Sequence, residues 1–172
     1  EYAMANVDMV DITVYGKGGH GALPHNTIDP VVIASKIVLD LQTIVSRELS
    51  PLTPAVITVG KISGGTVGNV IPDEVELQLT VRSFSDEVRQ SIFEKIRRTS
   101  EGVAIASGVP EDRLPVVKVK EQFTPSLYND PQLTQRIKEV FVDALGSKYV
   151  LDSEPRMIGE DFSRFGRQDP PI

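Results

Sequence analysis

Both histidines of this 172-residue chain lie in one glycine-rich stretch, which is the part of the sequence best suited to chemistry. Residues 16–25 read Gly-Lys-Gly-Gly-His-Gly-Ala-Leu-Pro-His. Glycines allow the backbone to approach a ligand closely, and an imidazole such as that of His20 can donate a hydrogen bond to a developing oxyanion. A histidine among glycines can equally serve a structural turn. The residues alone leave both interpretations open.

A metal site is a third interpretation of His20 and His25, and the composition argues against it. A zinc site takes three or four protein ligands. The chain has no cysteine, and its carboxylates lie far from the two histidines in sequence. The stretch is therefore poor in metal ligands.

Three further positions carry polar residues that could bind a ligand. Asn69 lies among glycines in the segment 64–73, which is too long for a tight hairpin turn, although Asn is also an ordinary turn residue. Arg82 ends a predicted strand, where it could bind a carboxylate or form a surface ion pair. The pair Glu160-Asp161 is most simply a helix start, because acidic side chains favour the positive end of a helix.

The glycines also match the dinucleotide-binding pattern Gly-x-Gly-x-x-Gly at Gly16, Gly18 and Gly21. In that motif the third glycine opens a helix within a parallel sheet. Here Pro24 and several other residues intervene before the next predicted helix, and the elements that follow predict an antiparallel sheet. The context therefore argues against nucleotide binding.

The composition excludes several classes of protein. The hydrophobic fraction of 40% and the charged fraction of 24% fit an ordinary globular protein. The net charge of −6 argues against a nucleic-acid partner. No apolar run approaches the roughly 18–20 residues that span a bilayer, so we expect no membrane partner. The absence of cysteine favours a reducing, cytoplasmic setting. The chain begins at Glu1 rather than Met, which favours a piece of a longer protein.

The pattern of apolar residues predicts an α+β fold. Its elements position the glycine-rich stretch 16–25 and the segment 64–73, which we call the two loops. Alternation predicts strands at 7–15, 55–62, 74–82 and 115–123. Helical spacing predicts one helix from Pro30 to about Leu49 and another that begins after Ser85 and closes at Gly108. The order βαββαβ indicates a ferredoxin-like plait, an antiparallel four-stranded sheet with both helices on one face. Crossover handedness places the first and third strands in the middle.

A second unit begins after residue 123. Residues 124–129 resemble a linker, and Asp130-Pro131 starts a third amphipathic helix that ends before Gly146. The residues that follow are too few to bury its apolar face. We therefore expect a plait over residues 1–123 and, over residues 124–172, part of a domain that is incomplete.

Five ordered motifs resemble the M20 family of metallopeptidases, in particular its amidohydrolase branch. That branch includes hippurate hydrolases, N-acyl-amino-acid amidohydrolases and auxin-conjugate hydrolases. The motifs are Gly-Lys-Gly-Gly-His-Gly-Ala at 16–22 with Pro24-His25, Asp29-Pro30, Gly-Gly-Thr at 64–66 with Asn-Val-Ile-Pro at 69–72, Thr-Val-Arg at 80–82, and Met157 with Gly-Glu-Asp-Phe-Ser at 159–163.

The resemblance implies an enzyme that hydrolyses the amide bond of N-acyl amino acids or similar conjugates. Its catalytic domain would hold a pair of divalent metals (zinc, manganese, cobalt or nickel), and an inserted ferredoxin-like lid would form a homodimer. By the resemblance, His20 stabilises the oxyanion in the partner subunit. Asn69, Arg82 and His25 match positions associated with substrate binding.

The metal-binding Cys, His and Glu positions of the family and its general-base Glu have no match in this chain. We therefore expect the fragment to hold no metal and to hydrolyse nothing by itself. The alternative is a stand-alone ferredoxin-like module that binds a ligand or dimerises without catalysis.

Overall fold

The computed structural model of the protein describes residues 1–167. Its strands are, in chain order, β1 (Tyr2–Met4), β2 (Asn6–Tyr15), β3 (Gly19–His20), β4 (Ala55–Ser63), β5 (Val70–Ile71), β6 (Glu74–Ser83), β7 (Val116–Val119) and β8 (Leu127–Tyr128). Its α-helices are α1 (Pro30–Thr43), α2 (Asp86–Ala106) and α3 (Pro131–Leu145). Shorter helical segments span Pro24–Asn26, Ile44–Glu48, Glu111–Arg113, Ser147–Tyr149 and Asp161–Arg167.

The main sheet has the strand order β4-β6-β2-β7, and every neighbouring pair is antiparallel. The first and third strands of the plait, β2 and β6, therefore lie in the middle, as the handedness argument predicts. With α1 and α2 as the two crossovers, the βαββαβ order is complete. The predicted ferredoxin-like plait is confirmed.

The core lies between one face of the sheet and the two helices. Alternate residues of β2 and β6, such as Ile12 and Leu79, are buried together with the inward stripes of α1 and α2, such as Ile37 and Ile96. The opposite face of β6 carries the polar residues predicted to point outward, and they are exposed or half-buried. These residues are Glu74, Glu76, Gln78 and Thr80.

Side-chain caps fix where the two helices of the plait begin. The Asp29 carboxylate accepts hydrogen bonds from the amides of Val31 (2.9 Å) and Val32 (3.4 Å). Pro30, the first residue of α1, has no amide to satisfy. Ser85 Oγ accepts from the Val88 amide at the start of α2. Because of the Asp29 cap and Pro30, helix α1 begins directly after the glycine-rich loop.

The fourth strand of the plait is shorter than the predicted 115–123. After Val119, the Lys120 amide still donates to Met9 O (2.9 Å), but the next backbone contact with β2 joins Val7 and Thr124. Two extra residues therefore bulge out between those contacts. The bulge makes room for the Phe123 ring beneath the Arg89 guanidinium, whose Cζ lies 3.9 Å from the ring centroid.

A buried ion pair joins α2 to the middle of the sheet. The carboxylate of Asp8 is fully buried, and Arg89 donates to its two oxygens at 2.8 and 2.6 Å. Asn6 donates to the same carboxylate (2.7 Å) and accepts from the amide and hydroxyl of Ser83. The network is fully paired, so it fixes the register of β2 against β6 without an unsatisfied group.

The N-terminal strand pairs outside the plait. β1 forms a two-stranded sheet with β8, and the Ala5 amide lies within hydrogen-bond distance of the carbonyls of Arg156 and Ile158.

The predicted helix α3 is present, but none of its residues is buried. Its apolar stripe includes Ile137 and Phe141, which are 45% and 51% exposed. In the described part of the chain, no helix has both the length and the apolar character needed to cross a membrane.

We predict that Asp8→Ala lowers the free energy of unfolding by about 3–5 kcal/mol, because it leaves the Arg89 charge without its partner. Urea denaturation followed by circular dichroism measures the change. Asp152→Ala, which breaks the exposed pair with Lys138, is the control and should change the free energy by less than about 1 kcal/mol. Equal effects of the two substitutions would contradict the importance of the buried pair.

Candidate functional site

Two loops that are 50 residues apart in sequence meet at one end of the sheet. β3 and β5 pair through Gly19 with Ile71 and His20 with Val70. The Gly21 amide then donates to Asn69 O at 2.8 Å. His20 and Asn69, both predicted site residues, are therefore brought side by side on an exposed rim of the molecule.

Asp73 joins the same two loops a second time. Its carboxylate accepts from the Gly18 amide (2.9 Å), and its backbone carbonyl accepts from the Gly16 amide (2.8 Å). The sequence analysis did not single out this residue. Its position directly after Pro72 and before a strand was the available signal, since Asp commonly accepts hydrogen bonds from backbone amides in turns.

The glycines of the first loop are required by close backbone approach. A Cβ at Gly16 would lie 2.2 Å from Ile28 O, and a Cβ at Gly18 would lie 2.6 Å from Ile71 O. The loop is also closed on itself, because Lys17 and Ile28 exchange two backbone hydrogen bonds of 2.8 and 2.9 Å. The stretch 16–28 is thus held by backbone contacts on both sides.

His25 lies in the short turn Pro24–Asn26 that follows His20. The turn is stabilised by Thr27, whose hydroxyl donates to Pro24 O at 2.7 Å. The His25 side chain is exposed, and its ring makes no hydrogen bond or ion pair within residues 1–167. It lies in the same loop as His20, and no hydrogen bond joins the two rings.

Arg82 lies at the opposite end of the sheet from His20. Glu74, at the loop end of β6, pairs with Tyr15, whereas Arg82 pairs with Val7 at the other end. Glu74 and Arg82 are eight residue steps apart along β6, which corresponds to roughly 26 Å. The half-buried Arg82 donates through Nη1 to Met157 O at 2.7 Å. Within one chain, the predicted site residues therefore fall into two groups. His20, His25 and Asn69 lie at one end of the sheet, and Arg82 lies at the other.

The last motif of the sequence lies beside Arg82. The short helix Asp161–Arg167 begins after Glu160, and the Glu160 carboxylate accepts from the Phe162 amide at 2.8 Å. The acidic pair therefore lies at the start of a short helix, which was the simplest interpretation of the sequence. A Cβ at Gly159 would lie 2.5 Å from Val7 Cγ2, so this glycine lets the segment pack against β2.

No group of three or more His, Cys, Asp or Glu side chains within residues 1–167 is arranged to hold a metal ion. The residues present therefore do not fit the metal pair that the resemblance implies.

Comparison with known proteins identifies the family of this chain. A model of the M20 peptidase dimerisation domain matches residues 2–106. This chain belongs to the M20 peptidase dimerisation domain family. The match includes both loops, the whole of α1 and α2, and Arg82, so the resemblance drawn from the motifs is confirmed.

Its relatives include a bacterial deacetylase and a plant amino acid hydrolase. An N-acetyl-L-cysteine deacetylase of Bacillus subtilis strain 168 is 39% identical over 163 residues, which are 94% of this chain and 37% of the relative. An IAA-amino acid hydrolase of Arabidopsis thaliana, ILR1-like 2, is 37% identical over 97% of this chain and 37% of the relative. The chain thus spans well under half the length of these relatives.

Solved structures of the family have the same fold. A protein from methicillin-resistant Staphylococcus aureus has a TM-score of 0.84 and 34% identity, over 96% of this chain and 42% of that chain. The Bacillus subtilis YXEP protein, a dinuclear metal-binding peptidase of the M20 family, has a TM-score of 0.70 and 29% identity, over 96% of this chain and 38% of that chain.

We predict that Gly18→Ala separates the two loops of this M20 domain, because its new Cβ would press on the Ile71 carbonyl. The free energy of unfolding should fall by about 1–3 kcal/mol, and the amides of Gly19 and His20 should exchange faster with solvent. Gly68→Ala is a matched control in the second loop, since a Cβ there meets nothing within 4 Å. If both variants behave like the wild type, the loops are not held by this close contact.

Proposed function

We propose that this chain is the lid and dimerisation portion of a metal-dependent amidohydrolase that hydrolyses the amide bond of N-acyl amino acids or similar conjugates. Residues 1–123 would form the lid and residues 124–172 the return into the catalytic domain. The observation that carries the proposal is the pairing of the His20 loop with the Asn69 loop on an exposed rim. Such a rigid polar rim suits a site completed by another part of the protein.

The metal pair of that enzyme would lie outside the described residues. A dinuclear metal-binding peptidase among the structural neighbours supports the metal pair, while residues 1–167 supply no cluster of ligands for it. The exposed apolar stripe of α3 supports a further domain, because the described residues leave it uncovered. The identity of the metals and a cytoplasmic setting stay predictions from the sequence.

The free edge of β4 is the better candidate for the dimer contact. β4 has nine residues and lies at the edge of the sheet. Ile62 of this strand is 52% exposed, and Leu39 of α1 is 70% exposed. The other edge, β7, has only four residues, so it offers less backbone for pairing with a second copy. We therefore place the homodimer contact at β4 and α1.

A two-fold dimer through β4 would bring the two groups of site residues together. β4 runs antiparallel to β6, so its last residues lie near the His20 loop and its first residue, Ala55, lies opposite Ser83. When β4 pairs antiparallel with its own copy, the loop end of one chain meets the Ala55 end of the other. His20 and Asn69 would then approach Arg82 of the partner subunit.

Each group has a chemical role in that shared site. The His20 imidazole would donate to the scissile carbonyl oxygen as negative charge develops there. Arg82 has donors beyond the Nη1 contact to Met157 O, and these could bind the free carboxylate of the substrate. Asn69 and His25 would add hydrogen bonds to the substrate from the first chain. One chain by itself cannot assemble this set.

For the dimer contact, we predict that Ile62→Glu converts the dimeric chain to a monomer, because it buries a charge at the interface of two copies. Light scattering should report half the wild-type mass, with unchanged circular dichroism. Lys118→Glu on the opposite edge is the control and should stay dimeric. Dissociation by Lys118→Glu with an intact Ile62→Glu dimer would assign the contact to β7.

The function is tested by mixing two impaired variants of the complete enzyme and assaying them at a substrate concentration below the wild-type KM. His20→Ala should lower kcat on the order of 10²–10³-fold, and Arg82→Ala should chiefly raise KM for substrates with a free carboxylate. When equal amounts are unfolded and refolded together, half of the dimers are mixed, and one of the two sites in each has both side chains. About one quarter of the wild-type activity should return.

The same experiment rejects the proposal in two ways. If activity does not return although mixed dimers form, His20 and Arg82 do not meet across the two-fold axis. If the complete protein hydrolyses no N-acyl amino acid at all, the stand-alone binding or dimerisation module becomes the better account. Refolding each variant by itself is the control for recovered activity.

A further inference from the structure

The His20 ring is held by a hydrogen bond within its own loop. The Ala22 backbone amide donates to His20 Nδ1 at 3.1 Å. The amides on either side are also paired, because Gly21 N donates to Asn69 O and Leu23 N donates to His20 O, both at 2.8 Å. The direction of the Ala22 N–H is therefore fixed by the turn around it.

We propose that the Ala22 amide is a positioning group that orients the His20 ring and places the single proton of its neutral imidazole on Nε2. An N–H can donate only to a ring nitrogen that carries a lone pair, so Nδ1 must be unprotonated. The neutral ring has one proton, which then resides on Nε2. This inference rests on the proposed function only in naming what Nε2–H would face, which is the substrate carbonyl oxygen.

The bond defines both the orientation and the chemistry of the side chain. His20 is exposed, so its ring is not positioned by packing. With Nδ1 turned back toward the loop, Nε2–H is the ring donor that is directed away from it. A neutral donor can stabilise an oxyanion without transferring a proton to it. In the imidazolium form both nitrogens are donors, so the Ala22 bond exists with the neutral ring alone.

His25 is an internal comparison for this assignment. It lies five residues away in the same exposed loop, but its ring has no hydrogen bond within residues 1–167. Its two neutral tautomers should therefore exchange freely. Any preference for Nε2–H at His20 beyond that of His25 would come from the loop.

Nitrogen NMR of the ¹⁵N-labelled 172-residue chain tests the assignment at a pH at which both rings are neutral. We expect His20 to show an unprotonated Nδ1 and a protonated Nε2, and His25 to show averaged shifts. A scalar coupling across the hydrogen bond, between the Ala22 nitrogen and His20 Nδ1, would observe the bond directly. A protonated Nδ1 at His20, or shifts averaged as at His25, would overturn the inference.

Two substitutions test the roles of the two ring nitrogens, Nδ1 and Nε2, one at a time. His20→Asn places an acceptor oxygen near the position of Nδ1, whereas His20→Gln places an N–H donor near that of Nε2 and leaves Ala22 unpaired. Exchange of the Ala22 amide with solvent should be as slow in His20→Asn as in the wild type. It should be roughly threefold to tenfold faster in His20→Gln. Equal exchange in the wild type and His20→Gln would refute the bond.

The outcome is independent of hydrolysis. The tautomer is measured on this chain without substrate, so a protonated Nδ1 would reject the positioning role and leave the amidohydrolase proposal intact. Conversely, an Nε2–H tautomer together with failed recovery in mixed dimers would retain the positioning role and reject the shared active site.

Discussion

The backbone pairing between the two loops is the constraint on which the candidate site depends. His20 and Asn69 lie on loops that start from different strands, and neither loop has a core of its own. The β3–β5 pairing and the two contacts of Asp73 turn them into one unit. Apart from the Asp73 carboxylate, these contacts join backbone to backbone at close approach, so they require glycine at several positions and few specific side chains. The motif is therefore glycine-rich for structural reasons as well as for access to a ligand.

The plait places the two groups of proposed site residues at opposite ends of one sheet. A strand is too stiff and too long to bring His20 and Arg82 together within a chain. An antiparallel copy solves this problem by symmetry, because a two-fold axis at the β4 edge exchanges the two ends. Dimerisation and the assembly of the active site would then be one event in the proposed enzyme, and the lid would need no large internal movement to unite its polar residues.

The sequence predicted the fold well because its signals are local and agree with one another. Alternation in β2 and β6, the Asp29 and Ser85 caps and the apolar stripes of the helices all indicate the same layers. The features that it missed depend on contacts between distant residues. Asp8 is part of an alternating strand, and nothing in its neighbours predicts that Arg89, 81 residues away, pairs with it. The bulge after Lys120 likewise follows from where Phe123 and Arg89 meet.

At the candidate site, too, local features could be predicted from the sequence, whereas contacts between distant residues could not. The type and spacing of His20 and the glycines indicated a loop with chemistry, and the ordered motifs indicated the family. The residues could not show that Asp73 joins the loops, or that Ala22 holds the imidazole, because a backbone amide has no signature in a sequence. The plait buries its own core, whereas α3 leaves its apolar stripe exposed and the polar residues lie on rims. In the proposed enzyme, the chemistry of such a domain would be defined by the surfaces that meet these rims.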